Sequence, residues 1–305
     1  MVSIGILTYR RADGLRACLA SVQRCLGTAL PAPWAGDEIL VVDNDPAGSA
    51  RDVIVGISEA TSPLPVRYVH EPTPGIAAAR TRALSETKSQ VMVFIDDDEV
   101  AEDGWPHGLL TLMSETGAAL VGGPVLSEFV DSPPAWIIDG GFFDRKDPPH
   151  GSSQDWLRSG NLAIDVQQVK AAGITFDQRF KQGEDSAFSR RAKAGGLDLR
   201  WSAHGAITEF VDRSRFDVGW RLRREFLSHR AWARSRLDLS DGPFGRTKTR
   251  VQILAGAGAR TATGMNHLVQ AVFKRSKVEA VMGAIDFVGV GAKLVETVAY
   301  RRAGS

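Results

Sequence analysis

Short runs of β-branched and aliphatic residues alternate with segments of helical period through the first hundred residues. The runs "VSIGIL" (2–7), "EILVVDND" (38–45), "VRYVH" (66–70) and "VMVFIDDD" (91–98) have strand character, and most are too continuously apolar to leave one face in water. After the first run, Leu15, Cys18, Leu19, Val22 and Leu26 recur at helical spacing, and an Ala-rich stretch from Gly75 to Leu84 predicts another helix. Strand and helix in turn predict an α/β fold: a mostly parallel central sheet, right-handed crossovers and helices on both faces. Ligands of such sheets gather beyond the carboxyl ends of the strands. Three strands end in polar clusters there, Thr8-Tyr9-Arg10-Arg11, Asp43-Asn44-Asp45 and Asp96-Asp97-Asp98-Glu99, so these clusters are expected on one rim.

Downstream, Leu109, Leu110, Leu112 and Met113 predict a helix and "AALVGGPV" a strand. Residues 127–160 are rich in Pro, Gly and Asp, yet Trp136, Phe142, Phe143 and Trp156 argue for an ordered loop region with short local elements. "NLAIDVQQVKAAGI" reads as a strand and short helix, "GEDSAFSRRAKAGG" as a helix with acids in its first turn and glycine after its last, and "LDLRW" and "AITEFV" as strands that complete the sheet. Beyond Phe216 the character changes to a basic, aromatic helical stretch, "WRLRREFLSHRAWARSRL", followed by further helices. The expected division is a catalytic domain over 1–215 and a helical C-terminal region over 216–305.

The 305 residues, 43% hydrophobic, suffice for one main domain and an appendage. Lys and Arg (37) balance Asp and Glu (36), so the net charge of +1 gives no reason to expect nucleic acid as a partner. Cys18 and Cys25 lie seven apart on one predicted helix, which suits two buried thiols and a reducing, cytoplasmic setting. "MVSIGILTYRR" reads as a first strand rather than a signal peptide. The apolar windows of the last forty residues are broken by Lys274, Arg275, Lys277, Glu279, Asp286 and Lys293, so a soluble or peripheral protein is expected.

Three adjacent carboxylates at Asp96, Asp97 and Asp98 repel one another and are tolerable only when solvated or neutralised by a cation. Hard oxygen ligands favour Mg²⁺ or Mn²⁺, and Mg²⁺ commonly takes one or two carboxylates together with substrate phosphates. Taken alone, the triplet fits a charged turn as well as a metal site. Asp43-Asn44 alone fits an Asx turn, Arg80 a surface charge, and Glu184 and Asp185 a helix start. These readings give no reason for all four features to fall in this order at strand and helix ends.

The joint series "ILTYRR", "EILVVDND", "PGIAAARTRAL", "VFIDDDEV", "SGNLAI" and "FDQRFKQGEDSAFSRRAKAGG" resembles the family 2 glycosyltransferases, inverting enzymes of the nucleotide-sugar-binding GT-A fold. "TYRR", "DDDE" and "TEFV" followed by "SRFDVGW" are similar to that family's bacterial exopolysaccharide branch. The resemblance implies that Thr8 and Tyr9, with Arg11, line a nucleotide pocket, and that Asp43 accepts a hydrogen bond from the base, a uracil imide. It implies that Arg80 contacts the diphosphate or braces the acidic cluster. Asp96 and Asp98 match the ends of the family's DxD motif, with Asp98 in direct metal contact, Asp96 at the ribose or in the metal shell, and Asp97 on the donor side. Asp185 matches the catalytic base, with Glu184, Gly160 and Asn161 on the acceptor side. The cofactor implied is Mg²⁺ or Mn²⁺. The partners implied are a UDP-hexose and a saccharide carried on a polyprenyl diphosphate at the inner face of a bacterial cytoplasmic membrane.

Two positions depart from the family pattern. Thr208 stands where many relatives place a metal-shell His, which leaves Glu209 or His204 as open substitutes, and "WRLRRE" stands where processive members carry Gln-x-x-Arg-Trp, which implies a single addition. A nucleotidyltransferase would need a Gly-rich, Lys- or Arg-bearing loop after the first strand, and "LTYRRADG" matches that poorly. A non-catalytic component binding sugar nucleotide or glycolipid is the other alternative. The arginines and tryptophans of "WRLRREFLSHRAWARSRL" suit helix packing or contact with an anionic membrane surface.

Overall fold

The structure is a computed structural model that describes residues 1–56 and 62–300. Its contacts divide the chain into two compact units, one of Met1–Glu128 with Arg145–Phe210 and the other of Phe129–Asp144 with Val211–Ser305. The change of unit thus falls near Phe210 rather than residue 215. Residues 129–144, expected in the first domain, join the second because Trp136, Ile137 and Phe142 share a core with Val211, Phe216 and Val281.

The first unit is built on a seven-stranded sheet. Its strands, in chain order, are β1 (Val2–Thr8), β2 (Gly36–Asp43), β3 (Val66–His70), β4 (Val91–Asp96), β6 (Leu120–Gly122), β8 (Leu162–Asp165) and β9 (Leu199–Trp201). Their spatial order is β3-β2-β1-β4-β8-β6-β9. β1 runs parallel to both β2 and β4, and β3 parallel to β2, so Thr8, Asp43 and Asp96 end adjacent strands on one edge. β8 is antiparallel to both neighbours, the exception in a mostly parallel sheet.

The period-2 alternation of each strand feeds two cores. Ile4, Ile6, Ile39, Val41, Val91, Val93 and Ile95 pack against α1 (Ala12–Cys25), α2 (Arg51–Val55) and α4 (His107–Thr116). Leu40, Val42, Met92 and Phe94 pack against α3 (Ile76–Glu86), α6 (Val166–Ala171) and α7 (Glu184–Ala194). Strands buried on both faces account for the uninterrupted apolar runs. Cys18 and Cys25 are buried free thiols within the first of these cores.

Two expectations fail on local chemistry. "AALVGGPV" is not one strand: Gly123-Pro124 interrupts it, and β7 (Val125–Phe129) leaves the main sheet. "AITEFV" does not complete that sheet either; β10 (Ile207–Val211) is the middle strand of a separate sheet between β5 (Glu99–Ala101) and β7. Apolar patterning identifies strands but not their sheet, because a turn of one or two residues redirects the chain.

The second unit carries α5 (Ala135–Asp139) and three long helices, α8 (Val218–Asp238), α9 (Gly242–Lys274) and α10 (Lys277–Ala299). Asp217 caps α8 by accepting from the Trp220 amide, and Ser276 caps α10 by accepting from the Glu279 amide. α9 and α10 approach closely at glycines: a Cβ on Gly264 would lie 2.9 Å from the Asp286 Cβ, and one on Gly283 2.7 Å from a Leu268 methyl. Among the described residues, no helix is long and apolar enough to cross a membrane.

Candidate active site

The carboxyl ends of β1 and β4 are stitched together by Asp97. The Thr8 hydroxyl donates to its Oδ2 at 2.8 Å, the Tyr9 amide to the same oxygen at 3.2 Å, and Arg11 Nη1 to Oδ1 at 3.0 Å. Gly14 lets α1 come this close, since a Cβ there would sit 2.5 Å from the Asp97 carbonyl oxygen. Arg10 adopts a left-handed φ of 56° as the chain leaves β1, and its guanidinium pairs with Asp45 at 3.1 Å. Asp97 and Thr8 are therefore buried braces of the rim, whereas the Tyr9 side chain, half exposed, faces solvent.

Asp96 and Asp98 flank this brace and differ from it in exposure: their side chains are 28% and 24% exposed, against 6% for Asp97. Arg11 pairs with Asp98 Oδ2 at 2.8 Å. Arg80, from α3, is buried; it donates to Asp96 Oδ1 at 3.1 Å and forms an ion pair with Glu184 at the start of α7. Of the two roles expected for Arg80, the geometry gives the bracing one. It also leaves Arg80 Nε buried without a hydrogen-bond partner.

The acids here outweigh their local compensation. Burial pushes Asp96 up from the ordinary carboxylate range; Arg80 opposes this, and Asp98, Asp97 and Asp185 add to it. Asp97 is likewise raised by burial against the Thr8 hydrogen bond and Arg11. Glu99, buried with Asp96 as its main charged neighbour, is pushed well up while accepting from the Asp96 amide at 2.9 Å. Glu184 is raised to about 7 by burial, with Arg80 lowering it and Asp185 raising it. Such crowding of shifted acids at a strand-end rim is a mark of a functional site.

Asp185 follows Glu184 in the first turn of α7 and is less buried. Its Oδ2 accepts from the Ser159 amide at 3.4 Å, which ties the end of the long loop to α7. Its charge acts on both Asp96 and Arg80, so Asp185 lies within electrostatic reach of the acidic rim. Glu184 points inward to Arg80, and its 4% exposure gives it a bracing position rather than one open to an acceptor.

Other expected residues are placed differently from their anticipated contacts. Asp43 is fully buried; its Oδ1 accepts from the Asp45 amide at 3.0 Å, and its Oδ2 from the Ala50 amide at 2.8 Å and the Tyr68 hydroxyl at 3.1 Å. What it holds directly is the turn into α2, not a position open to a base. Asn161 is 1% exposed: its Oδ1 accepts from the Trp105 indole at 3.0 Å, and its Nδ2 donates to the carbonyls of Pro124 and Gly205. It fixes the Gly123-Pro124 break and leaves little for an acceptor. Gly160 lies over Glu99, where a Cβ would fall 2.5 Å from Oε1.

Near the position that departs from the family pattern, the Thr208 hydroxyl donates to Glu102 Oε1 at 2.6 Å. Glu209 faces Glu99 across the β5–β10 pair and forms an ion pair with Arg145. His204 lies against His150 with the rings tilted by 52° and their centroids 4.9 Å apart, and is exposed. Of the two substitutes left open, Glu209 is the one beside the acidic cluster. Arg145 was not singled out by the sequence, and Glu99 and Asn44 were named only as members of the rim clusters, with no role of their own. Asn44 accepts from the Gly75 amide and donates to the Glu71 and Thr73 carbonyls, fixing the loop that starts α3 and so aims Arg80.

Asp96 and Asp98 offer hard oxygen donors to a cation. Among the described residues, no three His, Cys, Asp or Glu side chains converge as a cage. The donor set therefore fits a divalent ion held by one or two carboxylates, with waters and substrate phosphates completing the shell.

The sequence profile of glycosyl transferase family 2 matches residues 3–163, more than half of the chain. The succinoglycan biosynthesis protein ExoM of Rhizobium meliloti is 30% identical over 74% of this chain and 72% of its own length. Glycosyltransferase AglE of Haloferax volcanii is 25% identical over 68% of this chain and 65% of its own, so the match spans just under two thirds of that relative. A crystal structure of GalNAc-T7 with UDP, GalNAc and Mn²⁺ superposes with a TM-score of 0.54 at 14% identity, over 76% of this chain but 47% of that one, which shows a shared GT-A fold. The chain belongs to glycosyl transferase family 2 and is a glycosyltransferase.

Proposed function

We propose that this glycosyltransferase moves one hexose from UDP to a saccharide carried on a polyprenyl diphosphate, with inversion at the anomeric carbon, in assembly of a bacterial exopolysaccharide at the cytoplasmic face of the membrane. The observation that carries the donor half is the juxtaposition of the partly exposed Asp96 and Asp98 with Asp185 around the buried Arg80. The 30% identity to a succinoglycan biosynthesis protein supports the exopolysaccharide half.

Asp96 and Asp98 would hold Mg²⁺ or Mn²⁺, which when bound offsets the charge that develops on the leaving diphosphate. Arg80 holds Asp96 in place, and Arg11 holds Asp98, so the donor meets carboxylates already aimed. Tyr9 would meet the nucleoside from the exposed side of β1. Asp43 and Asn44 shape its pocket by fixing the 44–50 turn and the 71–75 loop. Asp185 would take the proton of the acceptor hydroxyl as that oxygen attacks the anomeric carbon and the bond to the diphosphate breaks. Attack opposite the leaving group turns an α-linked donor into a β-linked product. The helix that follows β10 carries "WRLRRE" in place of the processive signature, which supports a single addition.

The test is transfer from UDP-hexoses to a synthetic prenyl diphosphate saccharide, with the product's anomeric configuration read by NMR. The proposal requires a β-linked product, one sugar added, and loss of transfer on chelation that Mn²⁺ or Mg²⁺ restores. An α-linked product, or transfer untouched by chelator, contradicts it.

A further inference from the structure

The basic stretch of α8 looks in sequence like a surface for anionic lipid, but the structure turns much of it inward. Arg230 and Arg234 both pair with Glu296, which is 1% exposed, at 2.9 and 2.6 Å; Arg221 pairs with Glu225 at 2.9 Å; and Arg236 lies over the Trp232 ring. α9 shows the opposite arrangement. Its inner face, marked by Ile253, Ala257 and Gly264, is buried. On the opposite side Phe244, Val251, Met265, Val269 and Phe273 are exposed, with Val272 exposed on the flank beside Phe273, and Phe244, Val272 and Phe273 are 86%, 76% and 83% open to solvent. Positions 244, 248, 251, 255, 258, 262, 265, 269 and 273 follow one another at three- and four-residue steps, so they form one continuous outer stripe. At 1.5 Å per residue the 33-residue helix presents a ridge about 50 Å long.

A contiguous apolar ridge left in water has a partner. Its charge says which. Residues 242–274 contain no Asp or Glu; of their basic residues Arg260 is turned inward to Asp286 and Lys274 pairs with Glu279, while Arg246, Lys248 and Arg250 gather near the Phe244 end, Lys248 within the exposed stripe, and Arg275 and Lys277 extend the basic character past the Phe273 end. A second copy of this ridge would bring like charges together, whereas an anionic lipid surface complements them and takes up the phenylalanines and valines. A helix of this make-up lies in the interface plane rather than spanning the bilayer, in keeping with the lack of any spanning helix among the described residues.

We infer that the outer face of α9 is a docking surface for an anionic lipid bilayer, with Phe244 at one end and Val272 and Phe273 at the other entering the headgroup boundary. It takes the membrane-surface part of the proposed function and assigns it to a face that makes no use of the acidic rim. Each exposed basic residue near such a surface strengthens binding about fivefold.

The experiment is co-sedimentation of the full chain with vesicles of phosphatidylcholine alone or mixed with phosphatidylglycerol, alongside sedimentation equilibrium without lipid. Expected is binding to the mixed vesicles at least tenfold tighter than to phosphatidylcholine, and a further loss of at least tenfold in V272E/F273E. The variant's thermal transition and UDP binding should stay as in the parent, because both side chains are solvent-exposed. If V272E/F273E unfolds, Phe244→Ser at the other end of the ridge provides the same reading. Equal vesicle binding by parent and variant, no binding by the parent, or a lipid-free dimer that the substitutions dissociate would overturn the inference. UDP binding measured on the same samples separates that failure from a failure of the transferase proposal.

Discussion

Both units of this protein bury carboxylates beside arginines, and they do so to opposite ends. In the helical unit Glu296 is gripped by Arg230 and Arg234, and Asp286 by Arg260, so each buried acid has its countercharge at hand. At the rim of the sheet Asp96, Asp97, Asp98, Glu99, Glu184 and Asp185 crowd around Arg11 and Arg80, and Asp96, Asp97, Glu99 and Glu184 are all pushed up. A saturated acid holds helices in register; an acid cluster left partly uncompensated stores an affinity for positive charge. The difference is what a divalent cation and the diphosphate it accompanies would resolve.

The two acid clusters should part most clearly at Asp185. Asp185→Asn should lower kcat by of order 10²- to 10⁴-fold while leaving UDP affinity within about twofold, because a general base acts on the acceptor rather than on donor binding. Steady-state transfer and calorimetry on the same preparation read both. Arg80→Ala removes the guanidinium shared by Glu184 and Asp96 and should cost about 3–5 kcal/mol in urea unfolding, with donor binding lost as well.

The pH dependence of stability comes next. Glu184 has its folded value raised from 4.5 to about 7, so the native state binds its proton more tightly than the unfolded chain does. Its favourable contribution is complete below pH 4.5 and disappears as pH rises through about 7, a change of up to about 3 kcal/mol. Urea unfolding between those limits should show parent stability falling with rising pH, and Glu184→Gln should flatten that slope; an unchanged slope would remove Glu184 from the account.

In the helical unit Glu296→Gln should cost about 1–3 kcal/mol, discounted because both arginines are about a third exposed, and should leave UDP affinity alone. A change in UDP affinity there would collapse the distinction between the units. Thr8→Val deletes one hydrogen bond to the buried Asp97 and should cost about 1 kcal/mol, with a small rise in KM for the donor as Asp98 loosens.

The sequence carried the parallel half of the sheet because β1, β2 and β4 are buried on both faces and read as unbroken apolar runs. It did not carry the break at Gly123-Pro124 or the second sheet around β10, since the partner of a three-residue strand is set by distant turns. The rim was legible at Asp96, Asp98, Arg80 and Asp185, whose side chains the fold brings into one electrostatic cluster. It was less legible at Asp43 and Asn161, where a polar residue at a strand end looks the same whether it meets a ligand or, as here, the backbone of its own chain. The Arg145–Glu209 pair joins residues 64 apart and has no local signal at all. The basic run of α8 left packing and membrane contact both open for the same reason: its partner Glu296 lies 62 and 66 residues away.

Whether the rim binds donor diphosphate together with a cation is decided by calorimetric titration of UDP, with Mn²⁺ or EDTA, on the parent chain and on Asp98→Asn. Binding with Mn²⁺ should weaken at least tenfold in EDTA and again in Asp98→Asn. UDP binding of equal strength in EDTA, or none under any condition, would contradict such joint binding.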